Sequence, residues 1–335
     1  MTSEPGPEPA APPLDRTPPD PASRPPSAGW RLTLAVLSAL PQGLLSRALG
    51  RAADLPVPRW MRTPLFRSFA RLTRADLREA ELPPDQYGSL SEFFVRRLRP
   101  GLRKWPSDPS VPGSPVDGIV GEVGVVEGGT ALQAKGRGYS ISELLDDPEE
   151  GRRFTDGTFI TLYLSPRHYH RVHAPLAGGV AKARHVPGRL FPVNQAAVQL
   201  VEDLFPRNER IVCYLESALG RVAVVAVGAF NVGRISAPFD PEWNRGRGPV
   251  PSVTNRGGAG KRGGAGKPET RTYEPWHPVG RGAELMAFHL GSTVVLLFEK
   301  GPFAPALDLR PGREIRLGDA LGTPVEEVES PCGRD

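Results

Sequence analysis

The chain is poor in cysteine, with two among 335 residues, Cys213 and Cys332. Their spacing makes neither a disulfide framework nor a metal-binding pattern, which fits a reducing compartment. No run of about 18 or more apolar residues is present, so a transmembrane helix is not expected. The opening Met-Thr-Ser-Glu-Pro puts acid before base and has no apolar stretch behind it, unlike a secretory signal. Charge of one sign is also scarce: the formal net charge is +5, so attraction to anions must come from local clusters. The basic residues are not interleaved with aromatics in a recognisable module, which argues against nucleic acid as a partner.

Proline and glycine, by contrast, are abundant at 39 and 38 residues, which implies many turns. Residues 1–28 hold ten prolines and almost nothing to bury, the composition of a disordered tail. Residues 29–105 read as a helical segment. Leu44, Leu45 and Leu49, then Trp60, Met61, Leu65, Phe66, Phe69 and Leu72, recur at helical spacing, with prolines expected to separate short helices. Between Trp30 and Arg78, nine arginines face two aspartates. Such helices suit an anionic membrane surface, or equally a subdomain packed on the core with a solvated basic face. Ser89 is a candidate N-cap for a short helix through Phe93 and Phe94.

From residue 106 to 335 the pattern is β-like. The clearest strands are 118–126, 158–164, 221–227 and 294–298, with little helix between them. The expected fold class is α+β: a mostly antiparallel β core carrying an N-terminal helical, membrane-associating subdomain. Within this part, residues 244–270 contain Arg-Gly-Gly-Ala-Gly-Lys twice in succession and read as a flexible basic loop.

Four islands hold residues suited to chemistry. Asp117 stands before Gly118 at the mouth of a strand, where an ordinary Asx turn would also account for it. Three of the six histidines, His168, His170 and His173, fall within six residues. His168 and His170 would alternate onto one strand face, and with no Cys or carboxylate close by, acid/base work suits them better than a metal site. Val186-Pro187-Gly188 through Asn194 reads as a turn-rich apolar loop. Finally, Gly291-Ser292-Thr293 precedes the apolar run Val294–Phe298. A tight turn feeding a buried strand explains it, yet glycine also leaves its carbonyl unshielded beside a serine hydroxyl. Asp117, His173 and Ser292 could form a triad. The Gly-x-Ser-x-Gly elbow of ordinary esterases is missing around Ser292.

Taken in order, Phe93-Phe94-Val95-Arg96, Pro115-Val116-Asp117-Gly118, Tyr163-Leu164-Ser165-Pro166 with Tyr169-His170-Arg171-Val172-His173, Val186-Pro187-Gly188, Asn208-Glu209-Arg210 and Leu290-Gly291-Ser292-Thr293 resemble the phosphatidylserine decarboxylases of the bacterial, membrane-associated, self-processing type. The resemblance runs from about Trp30 to about Gly318. It implies autocatalytic serinolysis between Gly291 and Ser292, giving a β chain 1–291 and an α chain 292–335 that stay together as a heterodimer. His173 would take the Ser292 proton, and Asp117 would hold the His173 ring in its tautomer. Ser292 would become a pyruvoyl cofactor forming a Schiff base with phosphatidylserine, and His170 would return a proton as phosphatidylethanolamine forms. Peripheral attachment to the cytoplasmic side of the cell membrane follows from the same resemblance. A serine hydrolase using Asp117, His173 and Ser292, and a non-cleaving membrane-binding relative, are the competing readings. Two positions depart from the family pattern: His168 replaces an aspartate and adds a possible positive charge, and Met286 replaces a glycine.

Overall fold

The computed structural model describes Gly29 and residues 42–134, 137–229, 234–244, 251–254, 267–289 and 292–325. The 1–28 tail, residues 30–41, nearly all of the Arg-Gly-Gly-Ala-Gly-Lys repeat, Cys332 and the Leu290-Gly291 pair lie outside the described residues.

Helices α1 (Gln42–Asp54), α2 (Arg59–Thr73) and α3 (Leu90–Phe94) precede the strands. The Ser89 hydroxyl accepts the Glu92 N–H at 3.2 Å, the N-cap its sequence suggests. Not every proline separates helices here, because Pro64 lies inside α2. A proline there forfeits one backbone hydrogen bond. The helix persists because Phe66 and Ala70, one turn apart, are buried in a small core with Tyr87 and Phe93. The Phe66 and Phe93 rings stack at 4.9 Å. Elsewhere on α2, Trp60 and Leu72 are 79 % and 85 % exposed, and Arg59, Arg67 and Arg71 are exposed as well. Among the described residues, no helix is long and apolar enough to cross a membrane.

The strands follow in the order β1 (Gly118–Val125), β2 (Thr130–Ala134), β3 (Arg137–Ser140), β4 (Thr158–Leu164), β5 (Arg171–His173), β6 (Gly178–Val186), β7 (Arg210–Ser217), β8 (Gly220–Val227), β9 (Ile235–Ser236), β10 (Glu269–Val279), β11 (Glu284–Phe288), β12 (Ser292–Phe298), β13 (Phe303–Pro305), β14 (Glu314–Ile315) and β15 (Gly322–Pro324). Eight of them form one antiparallel sheet, β10-β6-β7-β8-β12-β4-β1-β14, and β5-β11-β9 form a second, smaller one. The fold class is α+β with a large antiparallel sheet. β12 lies inside the sheet, with Val295 opposite Thr161 of β4 and Val225 of β8. All seven of its residues are buried, which explains a sequence that is apolar at successive positions rather than at alternate ones.

The loop expected over 244–270 is shorter than its sequence suggests. Ser252, Val253 and Thr254 are buried, and the Val253 N–H donates to the Ile235 carbonyl at 2.9 Å. Glu269 and Thr270 already belong to β10, paired with His185 and Arg184 on the sheet edge. An apolar Val253 and the hydrogen-bonding partners offered by β6 outweigh the local glycine content.

Candidate active site

Two strand connections meet at one corner. β4 ends at Leu164, which pairs with Ser292, the first residue of β12. The Phe288 N–H at the end of β11 donates to the His170 carbonyl at 2.9 Å, just before β5. The end of β11 therefore meets the histidine loop, and the head of β12 meets the end of β4 from which that loop departs. Ser292 is fully buried, and its Oγ has no hydrogen-bond partner among the described residues. A hydroxyl left so is unfavourable unless it is used.

His168 and His170 do not lie on a strand face, as their alternation suggests. Ser165-Pro166 starts a turn in which the His168 N–H donates to the Ser165 carbonyl at 3.0 Å, and β5 begins only at Arg171. Turn chemistry overrides alternation here. The His168 Nδ1 accepts the Ser165 N–H at 3.0 Å. Burial, then the Arg167 charge, pushes its pKa down to about 4, so it adds no positive charge near neutral pH. His170 donates its Nδ1–H to the His168 carbonyl at 2.7 Å. That leaves Nε2 as the lone-pair atom, buried and unpartnered among the described residues. Its ring packs on Phe94, 4.1 Å between centroids, and burial followed by the Arg96 charge holds its pKa well below the ordinary value.

His173 donates Nδ1–H to the Gly282 carbonyl at 2.7 Å, and the Tyr169 hydroxyl donates to its Nε2 at 3.1 Å. Burial lowers its pKa. The tautomer expected to be fixed by Asp117 is thus fixed by a backbone carbonyl. Asp117 is engaged elsewhere: it accepts Arg103 Nε at 3.0 Å and Nη2 at 2.5 Å, and the Leu317 N–H at 2.8 Å. Arg103 also binds Glu79 at 2.8 Å. The physical reason is competition, since a forked guanidinium satisfies a buried carboxylate better than one imidazole N–H does. Asp117 still bears on His173 through its charge, which favours the protonated ring.

Arg103 and Gly282 are the residues that sequence reasoning passes over. Gly282 sits at φ +80°, and a Cβ there would meet Trp105 Cε2 at 2.9 Å. Arg281 donates to the Pro106 and Asp108 carbonyls at 2.8 and 2.6 Å, fastening the turn that aims the Gly282 carbonyl at His173. The Arg-Gly pair was a turn signal, but nothing in residue type reveals where a carbonyl points. His289 is a further buried group, with both ring nitrogens unpartnered among the described residues and its pKa pushed down by burial to about 3. Met286 is buried in β11 beside Val172 of β5, filling the core. The Asn208-Glu209-Arg210 island ties loops together: Asn208 Nδ2 donates to the Phe191 and Gly228 carbonyls, both at 2.9 Å. Cys213 is buried and free in β7. No group of three or more metal-ligating side chains comes together among the described residues.

Comparison with known proteins shows the family of the chain. Residues 90–323 match the family model described as phosphatidylserine decarboxylase. The phosphatidylserine decarboxylase proenzyme of Anaeromyxobacter sp. (strain K) is 45 % identical over 293 residues, covering 87 % of this chain and 98 % of that one. The proenzyme of Halorhodospira halophila is 43 % identical over 301 residues, 88 % of this chain and 95 % of that one. For the Myxococcus xanthus proenzyme the values are 39 % over 289 residues, 86 % and 97 %.

Proposed function

The chain belongs to the phosphatidylserine decarboxylase family, and on that premise we propose that it converts phosphatidylserine to phosphatidylethanolamine and carbon dioxide after cutting itself between Gly291 and Ser292. The observation that carries this reading is Ser292, a fully buried hydroxyl without a partner among the described residues, at the head of a central strand. An ordinary core strand has no use for it, whereas a nucleophile needs its lone pairs uncommitted.

In the cut, Ser292 Oγ attacks the Gly291 carbonyl carbon, and the chain shifts from amide nitrogen to ester oxygen. His173 takes the hydroxyl proton at Nε2, the atom left basic because the Gly282 carbonyl keeps hydrogen on Nδ1, once the Tyr169 hydroxyl that donates to it has turned away. Loss of the Ser292 Cα proton then breaks the Cβ–Oγ bond and frees residues 1–291 with a terminal carboxylate. Residue 292, now dehydroalanine, exchanges its nitrogen for water oxygen and releases ammonia, leaving a pyruvoyl group on residues 292–335. That group supplies the carbonyl that captures the substrate amine and accepts the electron pair when carbon dioxide departs. The His168 carbonyl keeps hydrogen on Nδ1 of His170 and burial keeps the ring neutral, so its Nε2 would pass a proton to the substrate carbon only after gaining one during turnover. Asp117 supports the site through its charge and its ties to Arg103 and Leu317. The two chains remain one heterodimeric body.

The exposed Trp60 and Leu72, flanked by Arg59, Arg67 and Arg71, support a peripheral seat on the anionic cytoplasmic side of the cell membrane. There each arginine near the surface contributes about 1 kcal/mol.

Denaturing mass spectrometry tests the reading. Wild-type protein should appear as two chains split before residue 292, with a blocked 292 terminus and carbon dioxide released from phosphatidylserine. Ser292→Ala should give one intact chain and no release. A Ser292→Ala protein that still split and decarboxylated would overturn the proposal.

A further inference from the structure

Among the described residues, Arg96 is a buried cation with no carboxylate in contact. It follows α3, and its side chain belongs to a residue only 4 % exposed. Nε and Nη1 have no hydrogen-bond partner among the described residues, and Nη2 reaches only the Arg167 carbonyl, at 3.4 Å. Three other arginines near this corner meet carboxylates, Arg103 with Asp117 and Glu79, Arg171 with Glu284, and Arg234 with Asp54, while the buried Arg210 of β7 is satisfied by four backbone carbonyls. Beneath the Arg96 guanidinium lies the Phe93 ring, 5.4 Å to the centroid. Phe94, on the same short helix, packs against His170. Burial lowers the arginine's own pKa, the sign of a charge held where water does not reach. A buried guanidinium with open donors is unfavourable in the empty protein, and an apolar side chain of similar volume would be more stable there.

We propose that Arg96 receives the phosphodiester of the lipid headgroup. This assignment rests on the reading of the chain as a lipid decarboxylase. Its place supports it: α3 touches the small core of α2 on one side and His170 on the other, so Arg96 stands between the exposed helical face and the reacting corner. The guanidinium fork matches two phosphate oxygens, and the Phe93 face beneath it excludes water. The substrate carboxylate is the less suitable anion. Its charge disperses as carbon dioxide leaves, so a guanidinium clamped on it would favour the ground state and oppose reaction. A phosphodiester keeps its charge throughout, and binding it anchors the substrate without that penalty.

The test compares full-length wild type with Arg96→Met in two arms. In thermal melts, glycerophosphoglycerol carries a phosphodiester without amine or carboxylate, and N-acetyl-L-serine carries a carboxylate without phosphate. Saturating glycerophosphoglycerol should raise the wild-type Tm by about 2–5 °C and leave Arg96→Met unmoved. N-acetyl-L-serine should shift neither. With short-chain phosphatidylserine, the variant should still cut itself, with KM raised about 10–100-fold and kcat within about threefold of wild type. Without ligand, its Tm should match or exceed that of wild type, since an uncompensated charge is gone. A shift by N-acetyl-L-serine that needs Arg96 would assign the carboxylate instead and overturn the proposal. So would the absence of any Arg96-dependent shift, or an unliganded Tm well below wild type, which marks a structural residue. Wild-type protein that neither cuts nor decarboxylates would sink the functional reading alone, because the melts decide the anion site without turnover.

Discussion

In α2, Trp60 and Leu72 stand 79 % and 85 % exposed, whereas every residue of β12 from Ser292 to Phe298 is buried. The two regions also keep separate cores: Phe66, Ala70, Tyr87 and Phe93 form one, and the strands of the large sheet surround the other. The β body uses its apolar side chains to hold itself together. The helical layer spends four buried residues on its own attachment and leaves large apolar groups outside among arginines, where they add nothing to the folded state. Under the proposed membrane seat, that difference would separate the residues that serve folding from those that serve the lipid surface.

Substitutions can press on this contrast from both sides. Leu296→Ala, in the middle of β12, should cost about 3 kcal/mol in urea unfolding, because neighbouring strands cannot collapse onto the gap. A loss below about 1 kcal/mol would show that the strand is less tightly held than its burial implies. Acid should act on the β body next. His289 and His168, with pKa values near 3 and 4 when folded, bind protons more readily once unfolded, where imidazole titrates near 6.5. Their contribution is complete above pH 6.5 and lost as pH falls toward 4 and 3. The expected slope is roughly 1 kcal/mol per pH unit per group, and melts at stepwise lower pH should show it. A flat profile between pH 6.5 and 4.5 would contradict neutral, buried rings. The smallest change in stability should come from Leu72→Ser, within about 0.5 kcal/mol. That same variant should nonetheless weaken sedimentation with phosphatidylglycerol-containing vesicles, and unchanged vesicle binding would remove Leu72 from the proposed membrane face.

Much of the β body was legible because its strands announce themselves. Val222–Val227 and Val294–Phe298 are continuous apolar runs that only a strand covered on both faces can bury. Ser292 was legible for the opposite reason, as a hydroxyl out of place before such a run. Contacts between distant segments were not. Arg103 comes from an irregular stretch with no periodicity, so nothing marked it as the partner of Asp117. The acceptor that fixes His173 is a backbone carbonyl, which every residue has. His168 was misplaced because alternating histidines imitate a strand, although Ser165-Pro166 already carried the turn. Pro64 falls within the Trp60–Leu72 run read as helical, and local rules cannot register the stacking of Phe66 on Phe93 that holds the helix around it.

The position of β12 sets an order of events. Its backbone is laced to β4 along one side and to β8 along the other, over nearly its whole length. Peptide-bond rearrangement at its head needs that lacing first, since an unfolded chain would not present the serine at a fixed angle. The sheet would therefore be assembled before the chain is severed, and the pairings of Thr293 to Phe298 with β4 and β8 all lie beyond the severed bond. A chain cut ahead of Ser292 could not be put back together by refolding, so maturation would convert a reversible fold into a one-way product whose lifetime is set by the rate of unfolding.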